Sequence, residues 1–127
     1  MDLLEYQGKE LFRRWGLAVP EGQVARNPEA AAAAARALGP VVAVKEQVRI
    51  GGRGKAGGVK VVSTPEEAHR AAEAILALEI KGHPVLEVLV EAGVDIASES
   101  YFSIVLDRAA RTHLIIASAE GGMDIEA

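Results

Sequence analysis

The chain has 127 residues, half of them apolar and a quarter charged, the size and composition of one globular domain and not of a disordered or fibrous chain. With no cysteine, disulfide scaffolds, thiolate zinc sites and cysteine nucleophiles are excluded, while 14 basic against 18 acidic residues give a net charge of −4, the wrong sign for a nucleic-acid-binding domain. The longest apolar run, Ala30 to Ala35, is far too short to span a bilayer and Met1 to Tyr6 hold no basic residue, so no membrane partner and no signal peptide are expected, and the default is a soluble cytoplasmic protein.

Asp2 is placed as N-cap of a first helix, with Leu4, Leu11, Phe12 and Trp15 at helical spacing, Lys9, Arg13 and Arg14 toward its C-terminal end and Gly16 just after it. Gly22 to Ala25 reads as a short strand. Asn27-Pro28-Glu29 then supplies an N-cap, a proline at the first helical position and an early acid, and Leu38-Gly39-Pro40 stops the helix. Val41 to Val44 is an apolar, β-branched run, expected as a strand covered on both faces and ended by Lys45.

From Gln47 to Gly58 the chain is rich in glycine and resolves into Val59 to Val62, a further strand. Thr64-Pro65-Glu66-Glu67 is a capping box that opens a helix with Ala68, Ala71, Ala72, Ile75, Leu76 and Leu78 as its apolar side. Val85 to Glu91 is expected as a strand. Ser100 to Leu106 and His113 to Ser118, joined by Asp107 to Thr112, are expected as an antiparallel hairpin. The elements run α, β, α, β, β, α, β, β, β without an internal repeat. Glu120 to Ala127 has turn chemistry followed by an unfinished amphipathic start, and the expectation is that the chain is part of a larger protein.

Lys45, Arg49, Arg53, Lys55 and Lys60 fall within sixteen positions of this acidic chain, interleaved with glycines. Exposed backbone N–H groups combined with cations suit a polyphosphate, because donors must approach closely with no Cβ in the way. Gly52-Arg53-Gly54-Lys55-Ala56-Gly57 matches G-x-G-x-x-G, but a dinucleotide fold needs a helix straight after it and here a strand follows. The Walker pattern fails because Ala56 follows Lys55. What survives is a glycine lid between two strands with a lysine on a neighbouring strand. Protein kinases use such a lid, but their H-R-D and D-F-G segments are absent from this chain. A solvated glycine hairpin is the plain alternative.

Met1 to Gln7, Gly51 to Val59, Leu89-Val90-Glu91 and Ala117 to Gly122 closely resemble the β subunits of the ADP-forming succinyl-CoA synthetases, whose nucleotide site is an ATP-grasp, and the resemblance runs the whole chain. It implies an α+β fold: the N-terminal ATP-grasp subdomain, a mixed or antiparallel sheet with helices packed on it, plus the first hairpin of the second subdomain. The implied divisions are an N-terminal helix and lead-in over 1–19, a first subdomain over 20–98 with its glycine lid at 51–58, and the start of the second over 99–127.

The resemblance further implies ATP/ADP as cofactor, with Lys45 on the phosphates and Gly52, Arg53 and Gly54 as the lid. Glu91 and Val94 would lie on the segment along the adenine, with backbone groups reading the base, and Glu99 would accept the ribose hydroxyls. The magnesium ligands and the phosphorylated histidine fall outside this chain, the latter in an α subunit that completes a heterodimer or heterotetramer. No catalytic and no metal residue is therefore assigned here; His69, His83 and His113 are read as structural. Glu46, Arg49 and Ile50 depart from the family's usual forms. Two alternatives stay open: a related malate or citrate CoA ligase, and a non-catalytic assembly domain built on an exposed hairpin.

Overall fold

A computed structural model describes residues 2–50 and 57–122. The chain divides into two compact units, Met1–Val94 and Asp95–Ala127. The first is built from α1 (Glu5–Arg14), β1 (Gly22–Ala25), α2 (Pro28–Leu38), β2 (Val42–Glu46), β3 (Val59–Val62), α3 (Pro65–Leu76), β4 (Glu79–Ile80), β5 (His83–Pro84) and β6 (Val88–Ala92). The second holds β7 (Tyr101–Asp107) and β8 (Thr112–Ser118).

The first unit is an α+β layer around a four-stranded sheet of order β1-β6-β2-β3, antiparallel throughout. Strand β6 is thus inserted between β1 and β2. Alternation along the strands sends Val42 and Val44 of β2, Val88 and Val90 of β6 and Ala25 of β1 to one face, where all are buried. Ala31, Ala34 and Ala35 of α2, with Ala68, Ala71, Ala72 and Ile75 of α3, close that core. With alanine at most of these positions the helices can approach each other and the sheet closely, because little side chain stands between the backbones.

Both core helices start as their sequences dictate. The Asn27 side chain accepts from the Ala30 N–H at 2.8 Å ahead of Pro28, and Thr64 Oγ1 accepts from the Glu67 N–H at 3.1 Å ahead of Pro65. The reciprocal bond of the expected capping box goes one residue further back, from the Ser63 N–H to Glu67 Oε2 at 2.8 Å.

Several expectations are corrected. Helix α1 begins at Glu5 with Leu4 as its N-cap, not Asp2, because the Leu4 N–H is already satisfied by Gln7 Oε1 at 2.9 Å. Strand β2 does not end at Lys45 and is not covered alike on its two faces: Val42, Val44 and Glu46 are buried, whereas Ala43 and Lys45 are half-buried. Strand β6 starts three residues later than Val85, because the Val85 N–H donates to Leu78 O at 3.1 Å and the preceding residues form the small β4–β5 ladder. That ladder turns on Lys81 and Gly82, both at positive φ (49° and 82°), the geometry of a primed two-residue hairpin. Gly58 is held close to β2: the Glu46 N–H donates to its carbonyl at 2.8 Å, and a Cβ there would stand 2.1 Å from Glu46 Oε2.

In the second unit, β7 and β8 form the expected hairpin, in register from Tyr101↔Ser118 to Asp107↔Thr112. Asp107 Oδ1 fixes its turn by accepting from the Ala109 and Ala110 N–H groups. Among the described residues no helix is long and apolar enough to cross a membrane.

The core lies under α3 and not under α1, which buries no residue. Ile75→Ala is therefore expected to cost about 2–5 kcal/mol in urea unfolding. Trp15→Ala, at a side chain 81% exposed, is expected to leave the midpoint nearly unchanged.

Candidate functional site

The face of the sheet away from α2 and α3 is chemically different. Strand register puts Ala43 and Lys45 of β2, Leu89 and Glu91 of β6, and Gly22 and Val24 of β1 on it. Helix α1 attaches to this face through polar contacts. One turn of α1 separates Glu5 from Lys9, so both side chains project to the same side, and the Lys9 ammonium pairs with Glu5 Oε1 at 2.8 Å. The Tyr6 N–H adds a bond to Gln47 Oε1 at 3.1 Å.

Four charges meet there. Lys45 Nζ donates to Glu91 Oε1 at 2.8 Å and to Glu5 Oε1 at 3.1 Å, while Lys9 pairs with the other oxygen of Glu91. The Glu91 side chain is only 7% exposed, and a carboxylate so withdrawn from water requires partners on both oxygens. Lys45 keeps 21% of its side chain exposed. Burial by itself would lower its pKa, but the bond to Glu91, with the charges of Glu5 and Glu91, outweighs it and the net direction is up from 10.5. The two lysines and two glutamates sum to zero charge. An ammonium has three N–H donors, and Lys45 spends two of them on carboxylates. A cavity of about 430 Å³ opens beside the cluster, with Tyr6, Lys9 and Arg13 of α1 on one side and Val24, Leu89 and Glu91 of the sheet on the other.

Of the residues singled out in the sequence, Lys45 and Glu91 are thus brought into direct contact across neighbouring strands. Glu91 is not a solvated strand end: the strand runs on to Ala92, and the carboxylate is buried between two ammonium groups. Val94 follows Gly93, whose N–H donates to Val41 O at 2.8 Å, and its side chain is exposed. Glu99 belongs to the second unit, is exposed, and accepts the Gly121 N–H on its carbonyl at 3.1 Å. Gly52, Arg53 and Gly54, and with them most of the proposed lid, lie outside the described residues. His69 lies 3.5 Å from Glu29 across the two core helices, His83 sits in β5 and His113 in β8. Glu5 and Lys9 are the site residues the sequence reading missed. Their opposite charges four positions apart on α1 were the available signal.

Residues 2–127 match the family model described as the ATP-grasp domain. The chain is 56% identical over 126 residues to the succinate–CoA ligase [ADP-forming] β subunit of Rubrobacter xylanophilus, an alignment that takes in 99% of this chain and 33% of that protein. The chain therefore spans about a third of the length of that curated relative. Among solved structures, a protein of Pyrococcus horikoshii is similar with a TM-score of 0.81 and 25% identity, covering 98% of this chain and 54% of the other. The dinucleotide-forming acetyl-coenzyme A synthetase 1 of Ca. Korarchaeum cryptofilum, solved with coenzyme A and Ca-AMPCP, shares the fold with a TM-score of 0.79 at 21% identity, over 92% of this chain and 53% of that one.

The raised pKa of Lys45 has a stability consequence with a definite sign. A lysine stabilised in its charged form by folding contributes fully below its ordinary value of 10.5, and the contribution is lost as pH rises through the higher folded value. The difference in unfolding free energy between the wild type and Lys45→Met should therefore be flat through neutral pH and shrink only above 10.5, as read by urea unfolding across an alkaline series.

Proposed function

The chain belongs to the ATP-grasp family, and we propose that it is the nucleotide-binding N-terminal portion of the β subunit of an ADP-forming succinate–CoA ligase. In the whole enzyme that reading gives reversible conversion of succinate, CoA and ATP to succinyl-CoA, ADP and phosphate, a step of the citric acid cycle. It runs through a phosphohistidine on a partner α subunit in a cytoplasmic heterodimer or heterotetramer. The 56% identity to a protein of that name supports it. The observation that carries the nucleotide part is Lys45: a charged, partly exposed ammonium on the face of the sheet that carries α1, oriented by two carboxylates, with a third donor not spent on them.

In this reading Lys45 donates to the nucleotide phosphates, and Gly52, Arg53 and Gly54 lie over them with backbone N–H groups. Val94 and the backbone of Glu91 follow the adenine, and Glu99 accepts the ribose hydroxyls. The work of these residues is electrostatic and positional. Phosphoryl transfer asks for charge stabilisation at fixed places and little covalent chemistry from the protein. Lys45 suits this because Glu5 and Glu91 keep it protonated and fix its direction before a ligand arrives. Magnesium would shield phosphate charge when bound. Among the described residues no group of three or more His, Asp or Glu stands together to hold it, so no step here is routed through a metal.

Titration of the chain with ATP, followed by NMR, tests the reading. Weak, saturable binding without turnover of ATP is expected. Lys45→Met should weaken it by at least about tenfold, the loss of one charge-assisted hydrogen bond. Equal affinity in the variant would overturn the assignment of Lys45, and ATP hydrolysis by the chain alone would overturn its expected inactivity.

A further inference from the structure

We propose that Lys9 of α1 is a positioning residue for nucleotide binding: by pairing with Glu5 and with the buried oxygen of Glu91, it supplies the countercharge that leaves Lys45 able to serve a polyphosphate. The inference rests on the nucleotide reading above and extends it to Lys9, a residue to which that reading gives no role.

Glu91 sits on the central strand and is withdrawn from water, so its negative charge must be answered inside the protein. Lys45 alone could answer it. But Glu5 also accepts from Lys45, so without Lys9 one fewer ammonium would answer these two carboxylates. A polyphosphate arriving there would meet a repelling site, and the ammonium it needs would already be held on two sides. Lys9 changes the balance, because it contacts both carboxylates, Glu5 Oε1 at 2.8 Å and the oxygen of Glu91 that Lys45 does not use.

The arrangement divides the labour between two like side chains. Lys9 is tied to the acids, and Lys45 is shared between the acids and the open face. Glu91 keeps the Lys9 ammonium on its Oε2 even when the Lys45 ammonium turns partly from Oε1 toward a ligand. A lone buried carboxylate oxygen would resist that turn, since an unpaired buried charge is costly. Among the described residues the charged groups that touch Lys45 are Glu5 of α1 and Glu91 of β6, and Lys9 of α1 reaches it through those two carboxylates.

The test compares the wild-type chain with Lys9→Met, Lys9→Arg, Glu5→Gln and Lys45→Met. It uses NMR of the lysine side chains, first as a pH titration without ligand and then as a titration with ATP. In Lys9→Met, Lys45 should titrate at higher pH than in the wild type, because one fewer cation faces the same two carboxylates, and ATP should bind about tenfold more weakly. Lys9→Arg should recover both values. Glu5→Gln should move the Lys45 titration the other way, downward, whereas the rise in Lys9→Met is one that loss of folding would not produce.

If Lys9 only fastens α1, its removal would free Glu5 from the cluster and the Lys45 titration would move down. That result overturns the proposal, as does an unchanged ATP affinity in Lys9→Met when Lys45→Met weakens binding. If instead Lys45→Met binds ATP as the wild type does, the nucleotide reading itself falls and the proposal falls with it.

Discussion

A carboxylate on the central strand of a sheet, almost shut off from water, has to be paired on both oxygens, and in this chain that requirement organises a whole layer. Glu91 takes one ammonium from the neighbouring strand and one from α1. Helix α1 buries none of its residues, and its apolar side chains Leu11 and Phe12, with Trp15 at its C-cap, are exposed. Its attachment to the sheet is therefore made by charge pairs and the Tyr6 to Gln47 bond and not by apolar burial. Such pairs are directional where a hydrophobic contact is not, so they fix the helix in the rotation that presents Glu5 and Lys9 to the strands.

The two faces of the one sheet follow from alternation along the same few residues. Along β2, Val42 and Val44 enter a core made largely of valine and alanine, and the intervening residues, Ala43 and Lys45, face the charged layer. The core face supplies rigidity, with α2 and α3 close against it. The other face can then hold an ammonium in a set direction, since the strand that carries it cannot turn without opening the core. A functional group mounted on a central strand is placed more firmly than one on a loop.

Much of the fold was legible because its signals are local. Asn27-Pro28 and Thr64-Pro65 set the starts of α2 and α3, and the apolar stretches Ser100 to Leu106 and His113 to Ser118 gave the β7–β8 hairpin, while the α+β class with a mixed or antiparallel sheet came from the family resemblance. Lys45 stood out as a cation on an apolar run. What was not legible depends on contacts distant in sequence. Glu5 lies forty residues from Lys45, and Lys9 eighty-two from Glu91, so no window of sequence holds the cluster. The same reason hid the burial of Glu91, which in sequence looks like a strand end. The Lys81-Gly82 turn was overlooked because a lysine at positive φ is uncommon and its flanking strands have two residues each. The roles of Gly52, Arg53, Gly54, Val94 and Glu99 rest on the resemblance and remain part of the proposed function.

The strand order carries a consequence for how the molecule assembles. Because β6 lies between β1 and β2 although it follows both by more than forty residues, neither of the earlier strands has its central neighbour until the chain has been made through Ala92. On a ribosome, β1 and β2 would emerge well before that neighbour, and the sheet would close late, by insertion. Closure through such long loops is entropically slow, and the interval before it is when this sequence would most depend on chaperone protection.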